Sequence, residues 1–172
     1  METSDRTTRF VVVGVSPGQP TTVVTTAAAF AERFDAHLVC ASVDTGRYTV
    51  VREPDGQILS AAIDPDLADE GVEEFDPELR AALEKSLHGR TVRWAVRALA
   101  GAPSLELSRL ADELDATMIV VGTREPGARG SLHDFFTGSV AVQLAHRQHR
   151  PVVVVPLHPV GPEAPLPWQD AR

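Results

Sequence analysis

The residues best placed to do chemistry lie in one glycine-rich stretch: Gly122, then Arg124, Gly127, Arg129 and Gly130, then Gly138 followed at once by Ser139. Glycines let backbone N–H groups approach phosphate oxygens, and a helix starting after such a loop points its positive end at them. Arg124 and Arg129 add positive charge to the loop, whereas Glu125 and Asp134 oppose an anion. The same residues also have a purely structural use. Gly122 and Gly138 suit tight turns at a strand end and a helix start. Ser139 suits a helix cap, as does Ser131, whose spacing to Asp134 is that of a capping box. Phe135 and Phe136 read as apolar anchors under the loop rather than as a base-stacking platform.

Other constellations carry less. His146 and His149 stand one helical turn apart, but no carboxylate or cysteine accompanies them. With Arg147 and Arg150 they read as positive charge at a helix C-terminus, and no metal is expected. His133 and Asp134 are neighbours in sequence, and adjacency alone does not make a catalytic dyad. There is no G-x-S-x-G elbow and no G-x-x-x-x-G-K-[ST] loop with its lysine. No base and nucleophile can be paired, so no catalytic residue is assigned and any hydrolysis would be slow and incidental. Cys40, the single cysteine, excludes an internal disulfide and reads as a small buried hydrophobe.

The loop is held by the apolar runs around it. MIVV before it and VVVV after it are continuous, as in parallel strands covered on both faces, so Thr117 to Val121 and Val152 to Val155 read as buried strands. A helix from about Ser139 to His149 lies between them. Upstream, Phe10 to Val15 is a first strand, followed by the turn SPGQP. A helix from about Pro20 to Phe34 places Val24, Ala27, Ala28, Ala31 and Phe34 near one face. His37 to Val43 is a second strand. Asp76-Pro77-Glu78 supplies an acidic N-cap and proline at the first helical position; Leu79, Leu83 and Leu87 repeat up to a stop at Gly89. Val92 to Leu99 is a further strand with one face less buried. Pro103-Ser104 opens a helix whose stripe is Leu107, Leu110, Ala111 and Leu114. The open end of the Gly122 loop then falls at the carboxyl edge of the sheet, where such folds bind ligands.

The 172 residues, 43% hydrophobic, fit one α/β domain from 9 to 157 between a polar tail (1–8) and a proline-rich tail (158–172). Residues 44–76 form an irregular acidic insert. Pro54-Asp55-Gly56 is good turn chemistry for a small hairpin in it, and DPDLADEGVEEFDPE reads as exposed. A net charge of −8 opposes a general grip on nucleic acid or on anionic membrane. No apolar run reaches about 20 residues, and the start lacks a signal-peptide core. A cytoplasmic protein is expected.

LADELDATMIVVGTRE before the loop, with FFTGSVAVQLAHRQHRPVVVVP after it, resembles the universal stress protein family over about Arg9 to Leu157. The resemblance implies a single Rossmann-like domain with an open five-stranded parallel sheet in order 3-2-1-4-5. It also implies a homodimer paired through the last strand, Val152 to Val155, and a role in the stress response. Some members of the family bind ATP or a related nucleotide. Carried over by position, the binding residues would be Gly14, Val15, Ser16, Val43, Val121, Gly122, Arg124, Gly127, Gly130, Gly138, Ser139 and Val140. Magnesium would accompany only a nucleotide.

The chain departs from the binders' pattern in two places. Fifteen residues separate Gly122 from Gly138 where the pattern has twelve, with Glu125 where its second glycine belongs. Ser16 stands where binders usually carry an aspartate, so a charged acceptor is replaced by a hydroxyl. Two functions stay open: a regulatory adenine-nucleotide-binding dimer, and a protein of the same fold without nucleotide that works through protein contacts made by the insert or the tail.

Overall fold

A computed structural model describes residues 8–67, 69–123, 139–157 and 159. Five strands form the main sheet: β1 (Arg9–Gly14), β2 (Ala36–Asp44), β6 (Trp94–Ala100), β7 (Met118–Gly122) and β8 (Val152–Val155). All four pairings are parallel and the order is β6-β2-β1-β7-β8. Counted along the main sheet, that is the expected 3-2-1-4-5.

Successive residues of a strand face opposite sides, which explains why the runs are continuously apolar. Val11 and Val13, with Leu38, Cys40 and Val120, enter one core with helices α1 (Thr22–Arg33) and α2 (Pro77–Leu87). Val12, Val39, Ala41, Ile119 and Val121 enter the other, against α3 (Pro103–Glu113) and α4 (Val140–Arg147). Val11, Val12 and Val13 are fully buried, each contributing about 1.5–2 kcal/mol of hydrophobic stabilisation. Cys40 is a free, buried thiol, and burial pushes its pKa up to about 12.

The helix boundaries follow local chemistry. The Asp76 carboxylate accepts from Glu78 N at 2.7 Å and Leu79 N at 3.1 Å, with Pro77 starting α2. Leu79, Leu83 and Leu87 are its buried stripe, and the chain leaves through Gly89 at φ 76°. Helix α1 is shorter than expected. It stops at Arg33, so Phe34 sits at the C-cap, 38% exposed and stacked on Phe30, rather than in the core stripe. Helix α4 also ends early, at Arg147, with extended backbone at Gln148.

The insert holds regular secondary structure. β3 (Arg47–Arg52) and β4 (Ile58–Ala62) form the expected hairpin, its turn closed by Gly56 N donating to Glu53 O at 2.9 Å with Gly56 at φ 86°. A short 3-10 turn, Pro65–Leu67, leads to β5 (Glu70–Val72), which pairs with β4 and completes a second, antiparallel sheet that no periodicity in the sequence announces. One side of this sheet is anchored. Ile58 is 2% exposed in the main core, Thr49 Oγ1 donates to Ala100 O at 2.9 Å, and Arg52 pairs with Glu106 of α3. Burial, then the nearby charge of Arg109, holds the Arg52 guanidinium below its ordinary pKa. Within the insert, Arg47 Nε donates to the buried Ser60 Oγ at 2.7 Å, and Ser60 Oγ donates to Glu73 Oε2 at 2.6 Å.

Candidate functional site

The strand order reverses between β1 and β7, since the chain builds β2 and β6 to one side of β1 and β7 and β8 to the other. Loops leaving the two central strands therefore diverge at their carboxyl ends and leave a crevice there. Gly14, Val15 and Ser16 form the exit of β1, and Val121, Gly122 and Thr123 that of β7. Val15 N still donates to Ala41 O at 2.9 Å, so the β1–β2 pairing continues to the rim of the crevice. The SPGQP turn is held by Gln19 N donating to Ser16 O at 3.2 Å, with Gly18 at φ 74°. On the far side, Thr123 N donates to Val155 O at 2.9 Å, and Leu157 N to Thr123 Oγ1 at 2.9 Å.

Two adjoining cavities occupy the crevice. One, of about 350 Å³, has an apolar wall made by Val15, Ala41, Val43, Leu107, Val121 and Val140. The other, of about 530 Å³, is more polar and is lined by the side chains of Ser16, Gln19, Ser104, Thr123, Ser139 and Gln143. Ser16, Gln19, Pro103, Gly122 and Val140 border both. Among the described residues no lining side chain is an acid, a lysine, an arginine or a histidine. The local field comes from backbone dipoles: α3 and α4 both begin at this rim, and a helix start favours negative charge. Ser104 Oγ donates to Gln143 Oε1 at 2.5 Å and ties the two helix starts together. Such an arrangement can bind a flat apolar group beside a polar one; among the described residues it offers no general base and no nucleophile–base pair.

Eight residues expected at the site do converge here: Gly14, Val15, Ser16, Val43, Val121, Gly122, Ser139 and Val140. Arg124, Gly127, Gly130 and Gly138 lie outside the described residues, as do Ser131, His133, Asp134, Phe135 and Phe136. Ser139 occupies the N-cap position of α4, but its side chain makes no capping hydrogen bond; only its carbonyl, accepting from Gln143 N at 3.0 Å, serves the helix. That leaves its hydroxyl for the cavity. Gly122 has a strict packing role, because a Cβ there would stand 3.0 Å from both Gln19 Nε2 and Val23 Cγ2 and 3.2 Å from Leu157 Cδ1. Gly14 is tight against Leu107 Cδ1 at 3.1 Å by the same test. His146 and His149 are both exposed, and among the described residues no three potential ligands gather to hold a metal ion.

Sequence reasoning missed Gln19, Thr45, Pro103, Ser104, Leu107, Thr123 and Gln143 as lining residues. The signal for several was present: SPGQP and Pro103-Ser104 each follow a strand, and in a parallel sheet every strand-to-helix loop opens at the same edge. In the sequence alone they carry only the marks of a turn and of a helix start.

Comparison with known proteins agrees with this architecture. A universal stress protein crystallised in complex with cAMP is similar over 88% of this chain and 99% of its own, at 21% identity and a TM-score of 0.57. The universal stress protein of Archaeoglobus fulgidus in complex with dAMP is similar over 87% and 98%, at 17% identity and a TM-score of 0.55. Another structure of a universal stress protein from that organism is similar over 86% and 93%, at 18% identity and a TM-score of 0.54. Among curated proteins nothing matches. No helix among the described residues is long and apolar enough to cross a membrane. The profile of the universal stress protein family matches residues 8–156, from before β1 to just past β8, and the chain belongs to that family.

Proposed function

We propose that this universal stress protein binds an adenine nucleotide, ATP or a close relative, in the crevice between β1 and β7, as a regulatory dimer rather than as an enzyme. The observation that carries the reading is the convergence of eight expected residues on one crevice with an apolar pocket beside a polar one. The apolar pocket, walled by Val15, Val43 and Val121, suits an adenine ring, and about 350 Å³ is within the range of small-ligand sites. The hydroxyl- and amide-lined cavity suits ribose and phosphate, with the starts of α3 and α4 favouring the anion. Relatives of the same fold holding cAMP and dAMP support the choice of an adenine ligand. Magnesium would enter only with the nucleotide. The dimer would form through β8, the open edge of the main sheet.

One observation favours the second reading, a partner-binding protein without nucleotide. Ser16 presents a hydroxyl where a carboxylate would grip the adenosine end, and no described residue lining the crevice replaces that charge. Calorimetric titration with ATP, ADP, AMP and cAMP, each with and without magnesium, separates the two. Saturable micromolar binding, about 8 kcal/mol, is expected, and Ser16→Asp should tighten it. A folded protein giving no heat with any of the four would overturn the nucleotide reading.

A further inference from the structure

Eight large apolar side chains are well exposed among the described residues, and five of them belong to the insert: Tyr48 (50%), Val50 (43%), Val51 (42%), Ile63 (60%) and Val72 (55%). Strand pairing explains the concentration. Val51 lies opposite Leu59, and Leu59 opposite Val72; Tyr48 lies opposite Ala61, and Ala61 opposite Glu70. Two cross-strand rows thus share the outer side of the second sheet, while Thr49, Ser60 and Ile58 face inward. The register shift between Thr49 and Val51 inserts Val50 as an extra residue, so two consecutive valines are exposed instead of one. The platform is anchored from beneath by Ile58, by Thr49 on Ala100, and by Arg52 on Glu106.

The charge around this face decides what covers it. Residues 44–76 carry ten acids against two arginines, a formal −8, which equals the net charge of the whole chain. Both arginines are already engaged, Arg47 with Asp69 and Glu73 and Arg52 with Glu106. The acids cluster at both ends and one edge of the apolar rows: Glu53 and Asp55 in the hairpin turn, Asp64, Asp66 and Asp69 in the β4–β5 link, and Glu70 on β5, all exposed. A second copy of the same face would bring like charge against like, and an anionic lipid surface would be repelled in the same way.

We infer that the outer face of the insert sheet is a docking surface for a cationic, amphipathic segment of another protein, with aliphatic or aromatic side chains on Tyr48, Val51 and Val72 and lysines or arginines toward the acidic rim. The rim steers the partner and the apolar centre holds it. The surface is separate from the crevice between β1 and β7 and does not depend on nucleotide.

The test uses the full chain and three fluorescent ten-residue peptides: alternating leucine and lysine, alternating leucine and glutamate, and alternating serine and lysine. Anisotropy should show saturable, salt-sensitive binding of the leucine–lysine peptide alone. Combined Val51→Thr and Val72→Thr should weaken it about tenfold, the scale of losing two half-buried valine contacts, with melting temperature and circular dichroism unchanged. Asp55→Asn with Glu70→Gln should weaken it and flatten its salt dependence. Equal binding of the serine–lysine peptide, equal binding by the threonine variant, or no saturable binding would each overturn the inference. So would self-association of the parent chain that the threonine substitutions abolish, since that assigns the face to a second copy.

Discussion

Gly122→Ala separates packing from ligand binding at the centre of the crevice. The new methyl carbon would stand 3.0 Å from Gln19 Nε2, 3.0 Å from Val23 Cγ2 and 3.2 Å from Leu157 Cδ1. Gln19 and Leu157 end in rotatable groups and can move aside. Val23 cannot, being fully buried on α1 and stiff at χ1. The substitution therefore pushes α1 from the carboxyl end of β7, an overpacking cost of about 1–3 kcal/mol. Alanine returns about 0.4–1 kcal/mol by restricting the unfolded chain, leaving a net loss of roughly 1.3 kcal/mol at the middle of a range of about 0–2.6 kcal/mol. For a domain of this size that midpoint lowers the melting temperature by about 3–5 °C. Urea denaturation should give the same loss with an unchanged m-value, because the compactness of neither state is altered. An unchanged or raised melting temperature would refute the argument, showing that Val23 has room to retreat and that the glycine is not demanded by packing.

Cys40 carries a pH prediction. Its thiol, ordinarily near 9, is pushed up to about 12 by burial, so between these values the folded protein keeps a proton that the unfolded chain has lost. Stability from this group is complete below pH 9 and falls as pH rises toward 12, by up to about 1.4 kcal/mol per pH unit; Cys40→Ala should show a shallower loss over that window, and an identical slope would contradict the burial. Arg52→Ala leaves the carboxylate of Glu106, 3% exposed, with the half-exposed Arg109 as its one remaining ion-pair partner among the described residues. Roughly 1–3 kcal/mol should be lost in urea denaturation, and a change under about 0.5 kcal/mol would mean that the insert is not held by this pair. At the open edge of the main sheet, Ile119 N donates to Pro151 O and Thr123 N to Val155 O, so the alternation of a parallel ladder turns the N–H of Val154 outward. Val154→Pro removes that donor without breaking a β7–β8 bond, and sedimentation should show monomers; a surviving dimer would place the interface elsewhere.

The main sheet was legible because its strands announce themselves. Continuous runs such as VVVV suit burial on both faces, and the Asp76-Pro77 cap and Gly89 stop bracket α2 unambiguously. The second sheet was legible only to the hairpin, through Pro54-Asp55-Gly56. Strand β5, Glu-Gly-Val, has no apolar alternation of its own. It is a strand because β4 offers a ladder and because Arg47, Ser60 and Glu73 tie the segment down, a non-local cause that no window of sequence contains. Phe34 was misplaced for a related reason: apolar periodicity continued one residue beyond the helix, which ends before Asp35 at φ 50°. At the site, residues on strand ends were found by resemblance, whereas Ser104 and Gln143 depend on how α3 and α4 pack and were not.

The crevice between β1 and β7 is proposed to take an adenine nucleotide. The most direct measurement is amide chemical-shift mapping of the isotopically labelled protein during titration with AMP. Saturable shifts are expected, concentrated at Val15, Ser16, Val43, Val121, Gly122 and Val140. The absence of saturable shifts there, or shifts confined to the sheet formed by Arg47–Arg52, Ile58–Ala62 and Glu70–Val72, would contradict it.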